Sequence, residues 1–214
     1  MEASSRGSAK EKLSKFIADL ADANPEKRRV AAEVLFTAGC MLGREAVEKW
    51  TRDAFFREIL LRDSARNAPL DDGADGEART TVGIAVAPET FTRIQAANGH
   101  PRLADMPQDL DALEFELHFS KPVRLDILTT KQPGGEGAIA RFLAKFGEGI
   151  QQVEYEVLDV DRATQILAER FGVTAIYPAT RAGANGTRVN FFLAPTGGGK
   201  KILIELVEAA HPLH

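Results

Sequence analysis

The sequence predicts an α+β protein in which two βαβββ modules form a cup-shaped mixed β-sheet, with a helical segment before them. Two observations support this prediction. Up to about residue 63 the apolar residues recur at helical spacing, and beyond residue 80 the period changes to two, which is typical of strands. The order strand, helix, short strands then occurs twice, ending once at residues 125–128 and once at residues 203–206.

The N-terminal helical segment covers residues 1–62 and is predicted to contain three helices. Asn24, Pro25 and Glu26 supply an N-cap, a first-turn proline and a first-turn acid, which together begin a helix. Gly39 and Gly43 predict a break before a third helix at about 44–61. Residues 63–80 are small, acidic and interrupted by glycine and proline, so they are interpreted as a linker.

The second part of the chain, residues 81–208, is predicted to hold the two modules, at 81–130 and 150–208, before a tail at 209–214. A further strand is expected within 100–110, where Pro101 and Pro107 argue against it. The predicted helices are 88–97, 138–146 and 161–171, and the predicted strands are 82–86, 113–119, 123–128, 152–158, 173–177, 187–193 and 201–207.

Composition excludes several classes of protein. The 214 residues carry 27 basic and 31 acidic side chains, a formal charge of −4, so no positive field favours a nucleic-acid partner. One cysteine allows no intrachain disulfide, and no apolar run approaches the length of a membrane span. We therefore expect a cytoplasmic protein with no membrane partner.

Acidic side chains on strands are the best candidates for a functional site. Asp126 stands in Leu125-Asp-Ile-Leu128, and Glu205 stands at the matching place in Leu203-Ile-Glu-Leu206. A lone acid among apolar strand residues is costly to bury without a partner, so both are predicted site residues. The alternative is a sheet whose second face is simply solvated.

Strand alternation sorts the neighbouring polar side chains. Successive residues point to opposite faces, so Gln152, Glu154 and Glu156 share one face, while Val153, Tyr155 and Val157 pack on the other. In 113–119 the same rule groups Glu114, Glu116 and His118.

Four stretches resemble a known family: residues 123–128, 137–157, 183–189 and 202–208 are similar to the methylmalonyl-CoA epimerases of the vicinal oxygen chelate superfamily. The resemblance is strong over 122–208. It is fainter over 80–120, where Val82-Gly-Ile-Ala-Val86 resembles the opening strand, and it does not include residues 1–62.

The resemblance implies a cup with a divalent metal at its base, where the metal polarises a thioester carbonyl and carboxylates move the α-proton. Asp126 and Glu205 match acids of the family, whereas Thr81 and Gln152 stand where the family has histidines. The implied metal ligands are Asp126, Glu205 and Gln152, with His118 as a displaced ligand. Because both histidines are replaced, the site would favour Mg²⁺, Mn²⁺ or Ca²⁺, with Co²⁺ also considered.

We expect an epimerase-like or lyase-like enzyme that acts on a small oxyanionic or acyl-thioester substrate, such as an acyl-CoA. Asp126 and Glu205 would be catalytic. The predicted substrate-binding residues are Gln152, Thr81, Glu154 and Arg188; in the family, the rim that carries Arg181 and Arg188 lies near the mouth of the active site.

Two other expectations concern cofactors and assembly. Thr196-Gly-Gly-Gly-Lys-Lys201 lacks the first glycine and the hydroxyl residue of a phosphate loop, so no nucleotide cofactor is expected. A homodimer is expected from the superfamily. The alternative function is a non-catalytic or metal-free ligand-binding protein whose metal site is degenerate.

Overall fold

The computed structural model describes residues 2–60, 78–196 and 201–208, with side chains from residue 11 onwards. The predicted tail and most of the predicted linker lie outside these residues. The helices are α1 Glu2–Asp19, α2 Pro25–Thr51, α3 Ala54–Ile59, α4 Pro88–Ala97, α5 Ala138–Phe146 and α6 Val160–Phe171. The strands are β1 Thr80–Ala85, β2 Leu113–His118, β3 Arg124–Thr129, β4 Gly149–Glu156, β5 Arg181–Ala182, β6 Arg188–Pro195 and β7 Lys201–Glu208.

The chain forms two compact units. Unit 1 comprises Met1–Gly39 and Val82–Gln151, and unit 2 comprises Cys40–Thr81 and Gln152–His214. The boundaries predicted at residues 62 and 81 divide the sequence by composition, and they stay a prediction. The contacts group the chain differently, because each unit combines part of the helical segment with strands of one module.

In unit 1, β3 lies between two partners: it is parallel to β1 and antiparallel to β2. Phe115, Leu125 and Ile127 are fully buried on one face of these strands, beneath α4. The rings of Phe91 in α4 and Phe115 meet edge to face, with centroids 4.6 Å apart. This layer of a mixed sheet under a helix fits the predicted α+β class.

Unit 2 repeats the pairing and adds a short edge strand. Strand β7 is parallel to β4 and antiparallel to β6, and β5 pairs with β6. Phe192 and Ile204 are fully buried, as are Ala163 and Leu167 of α6. Trp50 of α2 adds to this core, with its ring centroid 6.1 Å from that of Phe192.

Helix α2 begins at Pro25 as predicted, and the Glu26 amide donates to Asn24 Oδ1 at 2.9 Å. The break predicted at Gly39 and Gly43 is wrong, because α2 continues to Thr51. A Cβ on Gly39 would lie 2.4 Å from Val82 Cγ1. One on Gly43 would lie 2.7 Å from the Tyr155 hydroxyl, so both glycines mark close packing on strands.

Two predicted strands are absent from the described residues. Within 100–110 no strand forms; the amide of Ala104 donates to the carbonyl of Glu114 at 2.9 Å, and prolines at 101 and 107 supply no donors. Residues 173–177 lie outside any strand as well, although the Ile176 amide donates to the Phe191 carbonyl at 2.7 Å. The edge strand of unit 2 is β5 instead.

No helix among the described residues is long and apolar enough to cross a membrane.

Candidate functional site

Each unit has one sheet face beneath a helix, α4 in unit 1 and α6 in unit 2, and an opposite face that carries polar side chains. In unit 1, α5 packs against part of that second face. In unit 1, Asp126 lies opposite Glu116 of β2 and beside Gly83 of β1. Residues opposite each other in paired strands share a face, so Asp126 and Glu116 lie together on the polar face. Asp126 is buried, with 6% of its surface exposed.

Glu114 lies on the same polar face, where sequence reasoning placed it without giving it a function. It is opposite Leu128, which packs in an apolar cluster with Ala85 and Ile139, against which Phe142 of α5 also packs. Burial, and then the negative charge of Glu116, raise the pKa of the Glu114 carboxyl to about 7. A carboxyl group with such a pKa both accepts and donates a proton near neutral pH.

His118 occupies the outer end of β2, opposite Arg124. Its Nε2 lies 2.9 Å from Glu116 Oε1, and 61% of its side chain is exposed. His118, which is considered as a displaced metal ligand, is therefore an exposed side chain that contacts the Glu116 carboxylate.

In unit 2, Glu205 lies opposite Phe191 of β6 and beside Glu154 of β4. Gln152 Nε2 donates a hydrogen bond to Glu205 Oε2, and both side chains are buried. Two of the predicted site residues are thus in direct contact. The amide donor offsets the cost of burying the carboxylate and fixes one of its oxygens.

Thr81, which like Gln152 stands where the family has a histidine, is buried in β1 with 5% of its surface exposed. Asp126 belongs to unit 1, whereas Thr81 and Glu205 belong to unit 2. That Asp126 and Glu205 lie in one cup, as the resemblance implies for ligands of a single metal, stays a prediction.

Arg188 is on the other side of its strand from Phe191. Its guanidinium forms ion pairs with Asp161 of α6 and with Glu208, whose Oε2 lies 3.1 Å from Arg188 Nη1. A substrate contact by Arg188 would have to form on the face that α6 occupies, opposite to Glu205. Sequence alternation alone does not reveal this, since it requires the register of β6 against β7.

The side chains do not fit the divalent metal that the resemblance implies. Across residues 2–60, 78–196 and 201–208, no three histidine, cysteine, aspartate or glutamate side chains are placed to hold a metal ion. Gln152 directs its Nε2, a donor rather than a ligand atom, at Glu205. We therefore derive no chemical step from a metal.

Comparisons with known proteins give results among solved structures only. No family model and no curated protein matches the chain. Methylmalonyl-CoA epimerase from Mycobacterium tuberculosis is 30% identical, with a TM-score of 0.49, over 61% of this chain and 87% of that one. A variant of the Streptomyces coelicolor methylmalonyl-CoA epimerase, in complex with 2-nitronate-propionyl-CoA, is 22% identical over 61% and 96%, with a TM-score of 0.48.

A hypothetical protein from Bacillus halodurans is 22% identical, with a TM-score of 0.49, over 63% of this chain and 95% of that one. More than a third of this chain lies outside each of these alignments. Over the 61% of its length that aligns with them, this chain is similar to the two methylmalonyl-CoA epimerases.

Proposed function

We propose that this protein is an epimerase-like or lyase-like enzyme that moves a proton on a small acyl-thioester substrate. The observation that carries the proposal is the buried pair of Gln152 and Glu205 on the polar face of unit 2. A buried carboxylate oriented by a neutral amide donor is a suitable general base, because the hydrogen bond fixes its position and supplies no proton that would neutralise it.

In this proposal, Glu205 removes the proton next to the thioester carbonyl. A carboxylate that is already out of bulk water loses little hydration when it approaches a carbon acid. Gln152 positions the Glu205 carboxylate, and Glu154, its neighbour on β4, borders the place where substrate would lie. Asp126 and Thr81 keep the roles predicted for them, a second acid–base group and a substrate contact.

Glu114 provides a further acid–base group on the polar face of unit 1. With a pKa of about 7, it is present in both protonation states at neutral pH. Epimerisation needs one group that takes a proton and another that returns one, and a carboxyl group with this pKa is suited to either role. The homodimer that the family resemblance implies remains part of this proposal, and the proton transfer proposed here uses no metal.

Deuterium exchange tests the proposal. The protein is incubated with methylmalonyl-CoA in D₂O, with EDTA or with Mg²⁺, Mn²⁺, Ca²⁺ or Co²⁺, and α-deuterium is measured by mass spectrometry. We expect exchange by the unaltered protein and a loss of about 100-fold or more in Glu205→Gln, which keeps the shape but removes the base.

Glu156→Gln is the matched control for the loss of a carboxylate. Glu156 is on the same strand as Gln152, and its Oε2 pairs with Arg79 Nη1 at 2.9 Å. We expect its exchange rate to stay within about threefold of the unaltered protein, because this carboxylate is bound by Arg79 and is not proposed to act as a base. No α-deuteration by the unaltered protein under any condition contradicts the enzyme proposal; if methylmalonyl-CoA still binds, the metal-free ligand-binding protein is the better description.

A further inference from the structure

The outward side of α2 carries a row of apolar side chains. Val30, Val34 and Met41 are 41%, 38% and 67% exposed, and the exposed Thr37 lies between them. The intervals of four, three and four residues place these side chains on one line along the helix. Ala32, on the opposite side of α2, is fully buried. We call the four exposed residues the outer stripe, and their spacing is typical of a helix that packs against another helix.

Charged residues border the two ends of the outer stripe. Lys27 stands at one end, and Glu45 stands at the other end on the same side of the stripe. Glu26 and Arg44 lie across the stripe from them, in the same arrangement with the signs reversed, and all four side chains are exposed. If a second α2 packed antiparallel, the two-fold axis would bring each side of the stripe against the same side of the other copy. Lys27 would then meet Glu45, and Glu26 would meet Arg44.

The apolar and the charged pairs give the same register. Pairing the first residue of the outer stripe with the last, and the two middle residues with each other, puts the two-fold axis between positions 35 and 36. Pairing Lys27 with Glu45 of a second copy puts the axis at position 36. At a rise of about 1.5 Å per residue, the two registers agree within about 1 Å. The outward side of α2 is therefore complementary to itself in both shape and charge.

Glu48 favours an antiparallel over a parallel pair. It continues the outer stripe seven positions beyond Met41. In a parallel pair it would lie against Glu48 of the second copy, which is a contact between like charges. In the antiparallel pair it would lie near the first turn of the other α2, where the helix dipole favours an acid.

We propose that α2 is an interface between two copies of this chain, in which the outer stripes pack antiparallel and Lys27 of each copy binds Glu45 of the other. This interface lies in the segment that does not resemble the epimerases, so it goes beyond the proposed function and the homodimer included there. Lys27 has donors for this contact, since its Nζ lies 3.0 Å from Asp22 Oδ2 while its side chain is 60% exposed. The paired stretch is about 27 Å long, so we expect a weak dimer with a dissociation constant of about 1–100 µM.

Disulfide cross-linking of the full chain tests the proposal. Thr37 is 1.5 positions from the proposed axis, so its Cα would lie about 6 Å from that of Thr37 in the second copy when the helix axes are about 9 Å apart. This separation allows a disulfide. In a Cys40→Ser background, which removes the one native thiol, we expect Thr37→Cys to form a covalent dimer on mild oxidation with diamide. Lys49→Cys, exposed on the same helix but away from the outer stripe, is the matched control and should cross-link at least about tenfold more slowly.

Charge reversal, measured by analytical ultracentrifugation, gives a second readout. Lys27→Glu and Glu45→Lys each bring like charges together at both ends of the interface, and each should weaken the dimer by about 5- to 20-fold. The double variant restores opposite charges, so its dissociation constant should return to within about threefold of the unaltered protein. This rescue distinguishes the interface from a general loss of folding, because a misfolded single variant would not be repaired by a second reversal.

Three results would overturn the inference. One is a Thr37→Cys variant that cross-links no faster than Lys49→Cys. Another is a chain that stays monomeric up to about 200 µM, which would mean that a different protein or another part of the chain covers the outer stripe. The third is a dimer that both single charge reversals leave unchanged, which would be the homodimer of the proposed function formed through another surface. None of these outcomes requires turnover, so they are separate from a failure of deuterium exchange.

Discussion

In unit 1, the strand that carries Asp126 lies between a parallel and an antiparallel neighbour, and in unit 2 the strand that carries Glu205 does the same. The antiparallel neighbour places Glu116 opposite Asp126 but Phe191 opposite Glu205. The repeated strand pairing therefore determines the position of each acid in its sheet. The residue opposite determines whether the acid has a charged or an aromatic neighbour.

This difference separates two ways of keeping a carboxyl group out of water. In unit 1 several acids lie together. Burial, and then the negative charge of Glu116, raise the pKa of the Glu114 carboxyl to about 7. In unit 2, Glu205 has an aromatic neighbour and the amide donor of Gln152. The first arrangement favours the protonated form of Glu114, and the second stabilises the ionised form of Glu205, which can accept a proton.

The largest expected effect comes from giving unit 2 the pairing of unit 1. Phe191→Glu places a carboxylate opposite Glu205 and removes the ring contact with Tyr177, so we expect the free energy of unfolding to fall by about 4 kcal/mol. Urea denaturation measures this. Leu193→Glu, on the same face of β6 but 52% exposed, is the control and should cost less than about 1 kcal/mol. Equal losses in the two variants would show that Phe191 has no special relation to Glu205.

Removing the amide donor of unit 2 should have the next largest effect. Gln152→Ala leaves the buried Glu205 carboxylate without this hydrogen bond, and we expect a loss of about 2 kcal/mol at pH 7. Gln165→Ala removes the same kind of bond from an exposed pair on α6, where Nε2 donates to Glu169 Oε1 at 2.8 Å. That control should lose less than about 0.5 kcal/mol, and an equal loss at both sites would refute the importance of burial.

The acids of unit 1 predict a pH dependence of stability. The pKa of Glu114 is raised from 4.5 to about 7 in the folded protein, so the unfolded chain releases this proton first as pH rises. The free energy of unfolding should therefore fall between about pH 4.5 and pH 7, and Glu114→Gln should abolish that fall and be more stable by about 1–2 kcal/mol above pH 7.

Glu116→Gln serves as the comparison for this pH effect. It removes the like charge that adds to the raised pKa but leaves the burial of Glu114. The fall in stability should then end at a lower pH than in the unaltered protein. Denaturation curves at half-unit pH steps would contradict the assignment if Glu114→Gln kept the full dependence.

The polar faces were predictable from the sequence, and their register was not. Alternation along 152–157 and the matching of Asp126 with Glu205 placed Gln152, Glu154 and Glu205 correctly on polar strand faces. Arg188 is predicted to bind substrate, and the structure places its guanidinium on the face that α6 covers, in an ion pair with Asp161. The pattern of one strand shows that its residues alternate, but only pairing with the next strand shows which set lies opposite Glu205.

Helix α2 shows a similar limit. Glycine is unfavourable inside an isolated helix, and for this reason Gly39 and Gly43 predicted a break. In the folded chain, Val82, Val153 and Tyr155 leave no room for a Cβ at these positions. The cost in helix propensity is offset by close packing against strands that are distant in sequence, which no local pattern contains.

The smallest effect concerns how the N-terminal helices attach to each unit. In unit 1, Asn98 Nδ2 donates to the Leu20 carbonyl at 3.0 Å, and in unit 2, Asp53 caps α3 and pairs with Arg170 Nη2 at 2.7 Å. We expect Asn98→Ala and Asp53→Ala each to lower the free energy of unfolding by about 1 kcal/mol, because each leaves backbone groups without a partner. Hydrogen exchange locates the losses: protection should fall around α1 in the first variant and around α3 in the second. If either substitution lowered protection around both α1 and α3, the separate attachment of the two helices would be refuted.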